Sequence, residues 1–244
     1  MPLAVVIILG KITTKPLAEV VFQNLSLLAI CLVVGLTVWR FRSFNVGGAI
    51  TFILFAYGTW SLGSWVWALP VFTGFAGYLA AWRRSAPPGH ASGIRVRTLT
   101  RALLPPFAML ALANSLESGT TFFAPYLAAS AAVLAFSLDT GVFRLATRRS
   151  RTVGALGVAL LATLLVTAGP WLARPPASLS TPLAILAMTA LVTRINTAIE
   201  SRDPEARDSR FWTPWRFLLS FAAAGAILGL QALGWVAAWS PDLR

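Results

Sequence analysis

Charged residues are scarce in this chain of 244 residues: Asp, Glu, Lys and Arg together make up 11%, whereas hydrophobic residues make up 57%. Soluble domains carry about 25% charged residues, so this sequence has too little polar surface to cover a globule in water. The mean hydropathy of +0.73 agrees with that reading. The scarcity of charge therefore argues against a water-soluble enzyme or binding module and predicts an integral membrane protein.

Cysteine and histidine are nearly missing, with one residue of each. Cys31 lies within the apolar run LLAICLVVGL, so a disulfide framework and a thiol metal cluster are both excluded. His90, in APPGHASG, has no second histidine or cysteine near it in the sequence. We therefore expect a solvated loop histidine there and no metal centre built from these residue types.

Acidic residues are also few, 8 against 20 basic ones, which gives a net charge of +12. In a soluble protein this balance would suggest nucleic acid as the partner. In a membrane protein, basic loops set the orientation of the chain and account for the same charge. We therefore predict no nucleic-acid partner.

Long apolar runs bounded by charges predict an all-α polytopic bundle of seven or eight transmembrane spans, forming a single domain over 1–244. The second and third spans are separated only by SLGS and form either a tight helical hairpin or a broken, re-entrant unit. Pro105 and Pro106 are expected to kink or break the fourth. The predicted spans are 17–39, 45–62, 64–82, 102–116, 122–138, 153–172, 181–198 and 213–238.

Basic residues fall mainly on one side of this layout, since the eight-span arrangement places 16 of the 20 in loops on the same face. The positive-inside rule makes that face cytoplasmic and puts both termini outside, as in a bacterial inner-membrane protein. Ten tryptophans, most of them near span ends, predict an aromatic belt at the headgroup level. The small residues in GFAGYLAA and AAAGAILG predict close helix approach.

Polar residues beside the spans collect on the predicted cytoplasmic face. Asn45, Gly47 and Gly48 open the second span, Asp139 ends the fifth, and acids alternate with arginines in IESRDPEARDSRFWTP. Carboxylates can hold Mg²⁺, while guanidinium groups and helix-start amides can hold phosphate oxygens. This set of residues fits a phosphorylated ligand. The alternative is that the acids only pair with the loop arginines.

The order of these motifs resembles the CTP-dependent polyprenol kinases, the group that contains phytol kinase and phytyl-phosphate kinase, with dolichol kinase as a distant relative. The resemblance rests on SFNVGGAITFILFAYGTWSLGSWVWALPVFTGFAGYLAAW, on RVRTLTRALL, on AASAAVLAFSLDTGVFRLATRRSRTVGALGVALLA and on ALVTRINTAIESRDPEARDSRFWTPWRFLLSFAAAG. It covers most of the chain. At the last of these motifs, Asp208-Ser209-Arg210 replaces the paired aspartates and asparagine of the group.

The resemblance implies transfer of a phosphoryl group from CTP or another nucleoside triphosphate, with Mg²⁺, to an isoprenoid alcohol or its monophosphate. It makes Asp139 the catalytic residue and, with Asp208, a ligand of Mg²⁺. The phosphate-binding residues implied are Arg148, Arg151 and Thr152, and those lining the mouth of the site are Asn45, Gly47 and Gly48. The partners implied are a membrane lipid or isoprenoid substrate, with a homo-oligomer or a larger membrane complex as further possibilities.

Two alternatives stay open at this point. The segment FFAPYLAASAAVLAF, followed by a basic loop and by PLAILAMTALVTR, also resembles the HPP family of small membrane proteins, which is linked to anion transport, although the His-Pro-Pro run itself is missing. A non-catalytic subunit of a membrane complex would fit the departures from the kinase motifs. Ion-coupled transport is disfavoured because mid-span charges are nearly absent.

Overall fold

A computed structural model describes residues 17–40, 45–85, 96–139, 151–202 and 214–240. Over these residues the chain forms eight α-helices and no strand, each helix falling on one predicted segment. In chain order they are α1 (Leu17–Arg40), α2 (Val46–Leu62), α3 (Trp65–Ser85), α4 (Val96–Ser115), α5 (Gly119–Leu138), α6 (Arg151–Ala173), α7 (Ser180–Arg202) and α8 (Pro214–Ala232).

Four of these helices contain a stretch long and apolar enough to cross a membrane, at Gly119–Leu138, Gly154–Ala173, Ser180–Glu200 and Pro214–Ala232. Shorter apolar stretches lie in α1, α2 and α3. The predicted all-α class is therefore confirmed, with helices that suit a membrane protein. The count of seven or eight crossings and the location of the termini stay predictions.

The connection between α2 and α3 consists of two residues. The Gly63 N–H donates to the Thr59 carbonyl at 3.1 Å, which ends α2. The Ser64 carbonyl then accepts from Trp67 N at 3.1 Å, in the first turn of α3. A Cβ added at Gly63 would lie 2.6–2.8 Å from three side-chain carbons of Trp67, so only glycine fits this turn without a shift.

Two helix boundaries differ from the predicted ones by six residues, more than any other. α4 begins at Val96 rather than at 102 and continues through Pro105 and Pro106, both of which are buried, so the expected break is absent. α8 ends at Ala232, although the predicted span continues to 238. The boundary was missed because the residues after Ala232 stay apolar while leaving the helix.

α5 is the central helix of the bundle and packs against α3, α4, α6, α7 and α8. Nearly all of its side chains are buried, and its sequence is apolar on every face. A helix that is hydrophobic all round belongs in a protein interior. α1, in contrast, packs chiefly against α2 at the edge of the bundle.

Successive helices run antiparallel, which gives the bundle two ends. A Cβ added at Gly169 would lie 3.2 Å from Leu69, and one added at Gly77 would lie 2.9 Å from Leu165, so α3 and α6 run in opposite directions. We name the end where α5 and α7 finish the Asp139 end. The opposite end, where α6 and α8 finish, is the Trp239 end.

Small residues permit close helix approach at both predicted places, through a glycine in one and through alanines in the other. Gly77 of α3 faces Leu165 of α6 and Leu134 of α5 at short distance, as GFAGYLAA predicts. In AAAGAILG, no heavy atom lies within 4 Å of a Cβ added at Gly225 or Gly229. The close approach of α8 comes instead from Ala223 and Ala224 of the same motif, which are fully buried.

The Trp239 end is filled by an aromatic cluster formed by Trp67, Phe123, Tyr126, Trp171 and Trp239. The ring centroids of Trp67 and Phe123 are 4.8 Å apart, and those of Phe123 and Trp239 are 5.8 Å apart. Residues 235–240 carry Trp239 back over the bundle, where its indole N–H donates to the Arg174 carbonyl at 2.9 Å. The Tyr126 hydroxyl donates to the Trp67 carbonyl at 2.5 Å and joins α5 to α3.

Two tryptophans of the predicted belt are core residues. Trp67 is 3% exposed and Trp239 is 1% exposed, so neither faces lipid. Trp39, Trp65 and Trp235 are exposed and stay consistent with the belt. Composition alone could not separate the two groups, because a tryptophan near a span end can face the interior or the lipid.

Large aliphatic side chains cover the outer faces of the bundle. Val46, Ile50 and Leu54 form an exposed stripe along α2 at a spacing of four residues. α6 carries a matching stripe of exposed leucines at 156, 160 and 164. Such contiguous apolar surfaces would be a liability in water but suit contact with lipid chains.

Candidate functional site

Asn45 has a local structural role at the start of α2. Its side-chain carbonyl accepts a hydrogen bond from Gly48 N at 2.7 Å, which is an N-cap. Gly48 is buried and Gly47 is partly buried. A phosphate bound at this helix start would have to displace Asn45 from the Gly48 amide.

Asp139 closes α5, and its backbone N–H bonds to the carbonyls of Ala135 and Phe136. Its side chain is partly exposed. One face of α5 contains Ala132, Phe136 and Asp139, because Phe136 follows Ala132 by four residues and Asp139 follows Phe136 by three. Those two residues pack with Val192 of α7 and Ala223 of α8, so Asp139 belongs to the α5 face directed toward α7 and α8.

The other predicted phosphate and metal residues are only partly within the described chain. Arg151 and Thr152 are the first residues of α6, which packs against α5, so their backbone begins at the Asp139 end. Arg148 and Asp208 lie outside the described residues. Within the part of the chain that the structure describes, no three acidic, histidine or cysteine side chains come together as a metal site.

An apolar cavity lies between four helices. Four helices form a ring in the order α2, α3, α5, α4, and each helix packs against its two neighbours. The helices that face each other across the ring, α2 with α5 and α3 with α4, make few or no close contacts. The cavity occupies the space between these opposing pairs and has a volume of about 100 Å³. It is lined by Phe52, Pro70, Val71, Gly74, Phe75, Leu99, Ala102, Leu103, Pro106, Ser130, Val133, Leu134 and Ser137.

The lining offers a ligand almost no hydrogen bonding. Its two polar side chains are serines of α5, and the Ser130 and Ser137 hydroxyls donate to the Tyr126 and Val133 carbonyls at 2.8 and 2.9 Å. Their hydrogens are therefore committed to their own helix. A buried water needs two to four polar partners, so this space suits a hydrocarbon better than water.

A second polar site lies on the opposite side of α5, where α7 ends and α8 begins. The Arg216 Nη2 group donates to Glu200 Oε1, and Arg216 Nε donates to Asn196 Oδ1 at 3.1 Å. Asn196 also donates to Glu200 Oε1 at 3.1 Å and accepts from the Trp215 indole at 3.2 Å. We name these four residues the α7–α8 polar network.

The α7–α8 polar network is buried, with Arg216 3% exposed and Glu200 7% exposed. Glu200 lies in the last turn of α7 and Arg216 in the first turn of α8, so each charge has the same sign as the nearby end of the helix dipole. Their pairing offsets both unfavourable interactions. In the described residues these two are the only buried charged side chains, and they neutralise each other.

The spacing of polar residues along α7 is a sequence signal for this network. Thr189, Thr193, Asn196 and Glu200 recur at spacings of four, three and four, which is one face of a helix. All four are buried. A polar face on an apolar span predicts a partner on a neighbouring helix, but the partner helix could not be identified from the spacing alone.

Comparison with known proteins adds nothing to this description, because no family model, curated protein or solved structure matches the chain.

Proposed function

We propose that this protein is a membrane-embedded phosphotransferase that acts on an isoprenoid alcohol at the Asp139 end of the bundle. The observation that carries the proposal is the position of the apolar cavity. Its lining on α5 extends from Ser130 to Ser137, two residues before Asp139. A hydrocarbon chain held in the cavity would place its polar end at the Asp139 end of the bundle, to which the sequence assigns the phosphate chemistry, with Asp139 itself on the α5 face turned toward α7 and α8.

The reaction would join the alcohol oxygen to the terminal phosphorus of a nucleoside triphosphate, with CTP as the first candidate. The bond from that phosphorus to its bridging oxygen breaks, the alcohol loses its proton, and the products are a prenyl phosphate and a nucleoside diphosphate. If the acceptor is the monophosphate, a phosphate oxygen replaces the alcohol oxygen. Such transfers need positioning and charge stabilisation more than covalent catalysis.

The residues of this chain would divide that work. The phosphates would be bound by Arg148, Arg151 and Thr152. Asp139 would act next to the reacting oxygen. The mouth of the site would be bordered by Asn45, Gly47 and Gly48. Asp139 and Asp208 would hold Mg²⁺, which neutralises charge on the transferred group when it is bound. Of that pair, only Asp139 belongs to the part of the chain that the structure describes.

The location that fits this proposal is the bacterial cytoplasmic membrane with the Asp139 end facing the cytoplasm. Nucleoside triphosphates are available on that side, and the arginine-rich loops are expected there. The isoprenoid would come from the membrane, and no second protein is needed for the chemistry.

An Asp139→Asn variant tests the proposal. We expect transfer of ³²P from γ-labelled CTP to geraniol by the purified protein to fall at least about 100-fold, since one removed electrostatic contact in a phosphoryl-transfer site has an effect of this order. The matched control is Glu117→Gln, which makes the same chemical change at an exposed residue of the Trp239 end. Both variants should unfold at the wild-type temperature.

Full transfer activity in Asp139→Asn would show that Asp139 takes no part in the catalytic site. If the wild-type protein transfers phosphate from none of CTP, ATP, GTP and UTP, the phosphotransferase function is contradicted. The alternative of a non-catalytic subunit of a membrane complex is then favoured.

A further inference from the structure

The cavity is closed toward the Trp239 end. The half of the four-helix ring beyond Pro70, Pro106 and Ser130 is filled by fully or almost fully buried side chains of the main core, among them Val66, Trp67, Leu110, Phe123 and Tyr126. These residues belong to α3, α4 and α5, so they form a floor across the ring. A chain in the cavity cannot continue toward that end.

The sides of the cavity are closed as well. Phe52 of α2 stacks on Phe75 of α3 with ring centroids 4.1 Å apart, and Leu99 of α4 packs with Phe52. Ala102 of α4 packs against the α5 face that contains Ala132. Val71 of α3 packs against the apolar cluster that contains Leu134 of α5. All four seams of the ring are therefore packed at the depth of the cavity.

Among the described residues, the remaining opening is at the Asp139 end, where the lining residues nearest the helix termini are Leu99 and Ser137. The depth of the space follows from helix geometry. From Leu99 to Pro106, and from Ser130 to Ser137, the helices advance seven residues at 1.5 Å each, or about 10 Å. The cavity is thus a blind, apolar space about 10 Å deep.

We propose that this cavity is a chain-length gauge, which accepts one short isoprenoid chain of about two isoprene units and rejects longer ones. The identity of the polar end as an alcohol rests on the proposed function, whereas the length limit rests on the floor and the walls. A longer chain would have to leave its additional units outside the mouth, at the Asp139 end of the bundle. Gly74 and Ser130 then become specificity-determining positions, because larger side chains there would shorten the space.

Photo-crosslinking tests the length limit without any need for turnover. The probe is a geraniol analogue that carries a diazirine at its far end, added to the purified full-length protein in lipid nanodiscs. We expect the label on peptides around 70–75, 103–106 and 130–134. Unlabelled alcohols then compete: geraniol should compete about tenfold or more better than prenol, because each buried methylene adds to affinity. Farnesol and geranylgeraniol should compete at least about tenfold worse than geraniol, because their additional units find no apolar space.

A Gly74→Leu variant fills the cavity from its wall, and we expect it to lose at least about tenfold in labelling. Its matched control is Gly225→Leu, the same substitution at a helical glycine with no heavy atom within 4 Å of an added Cβ. The control should be labelled like the wild type. If Gly74→Leu does not fold, Ser137→Leu at the mouth replaces it with the same expected loss.

The outcomes separate this inference from the proposed function. Equal or better competition by farnesol and geranylgeraniol, or wild-type labelling of Gly74→Leu, would overturn the length gauge even if the protein transfers phosphate. Labelling with the expected length limit, but without phosphate transfer, would overturn the proposed function alone. A phospholipid that co-purifies with the wild type and with Gly225→Leu, but not with Gly74→Leu, would mean that a bilayer acyl chain occupies the cavity, and would also overturn the gauge.

Discussion

At the scale of single residues, the most costly interaction to disturb is the ion pair of the α7–α8 polar network. Removing one partner of a buried pair leaves the other charge without compensation, which costs about 3–5 kcal/mol. Replacing both partners by apolar side chains of similar size is often close to neutral. The pair is therefore better tested by double substitution than by single substitution.

We expect Arg216→Met to lower the free energy of unfolding by about 3–5 kcal/mol, measured by thermal or denaturant unfolding in detergent. The double variant Arg216→Met with Glu200→Leu should recover at least half of that loss. If the double variant is less stable than Arg216→Met alone, Glu200 is held mainly by something other than Arg216.

The residues of the candidate site were only partly predictable from the sequence. Asn45 was correctly placed at a helix start, where its side-chain carbonyl caps α2 by accepting from the Gly48 N–H. Asp139 was correctly placed at the end of the fifth predicted span. The α7–α8 polar network and the cavity were missed, because both depend on which helices are neighbours, and hydropathy along one chain carries no information about neighbours.

At the scale of helices, the turn between α2 and α3 depends on the lack of a side chain at Gly63. A methyl group there would meet Trp67, whose ring is held by Phe123 and Tyr126 and cannot move away freely. We expect Gly63→Ala to destabilise the protein by roughly 1–3 kcal/mol, as overpacked cores do.

The control for this turn is Gly157→Ala in α6, where no heavy atom lies within 4 Å of an added Cβ. That substitution should be neutral or should stabilise by up to about 1 kcal/mol, since alanine favours helix. Comparison of the two melting temperatures separates steric cost from helix propensity. Equal shifts in the two variants would contradict the close contact with Trp67.

Helix positions were predictable because apolar runs bounded by charge are a strong signal, and all eight predicted segments contain a helix. The boundaries of α4 and α8 were not. α4 starts in the basic stretch before 102, because arginine is a good helix former and a polar first turn is tolerated at a helix end. At the end of α8, the chain leaves the helix and Trp239 packs in the core, and no local sequence pattern predicts this boundary.

At the scale of the whole molecule, the orientation can be measured with cysteine labelling. Cys31 is the only cysteine of the chain and is fully buried, so the Cys31→Ala protein should not react with a maleimide. We expect Leu179→Cys to react with a membrane-impermeant maleimide in intact bacterial spheroplasts, and Ser92→Cys to react only after lysis. The reverse pattern would contradict the positive-inside assignment.

The same pair of positions tests the number of crossings. Three helices, α4, α5 and α6, separate residue 92 from residue 179. Labelling from opposite sides means that an odd number of these three helices cross the membrane. If α5 and α6 both cross, the proline-containing α4 must cross as well. Labelling of both positions from the outside would mean that α4 does not cross the membrane.

The central place of α5 has a consequence for how the protein is made. Its partners α3 and α4 precede it in the chain, but α6, α7 and α8 follow it, and the last helical residue of α8 lies 94 residues after Leu138 (232 − 138). At ribosomal speeds of roughly 5–20 residues per second, about 5–20 s pass between the completion of α5 and that of its final neighbour. An apolar sequence on every face is what such a helix needs during that interval, because lipid must first cover the surfaces that protein covers later.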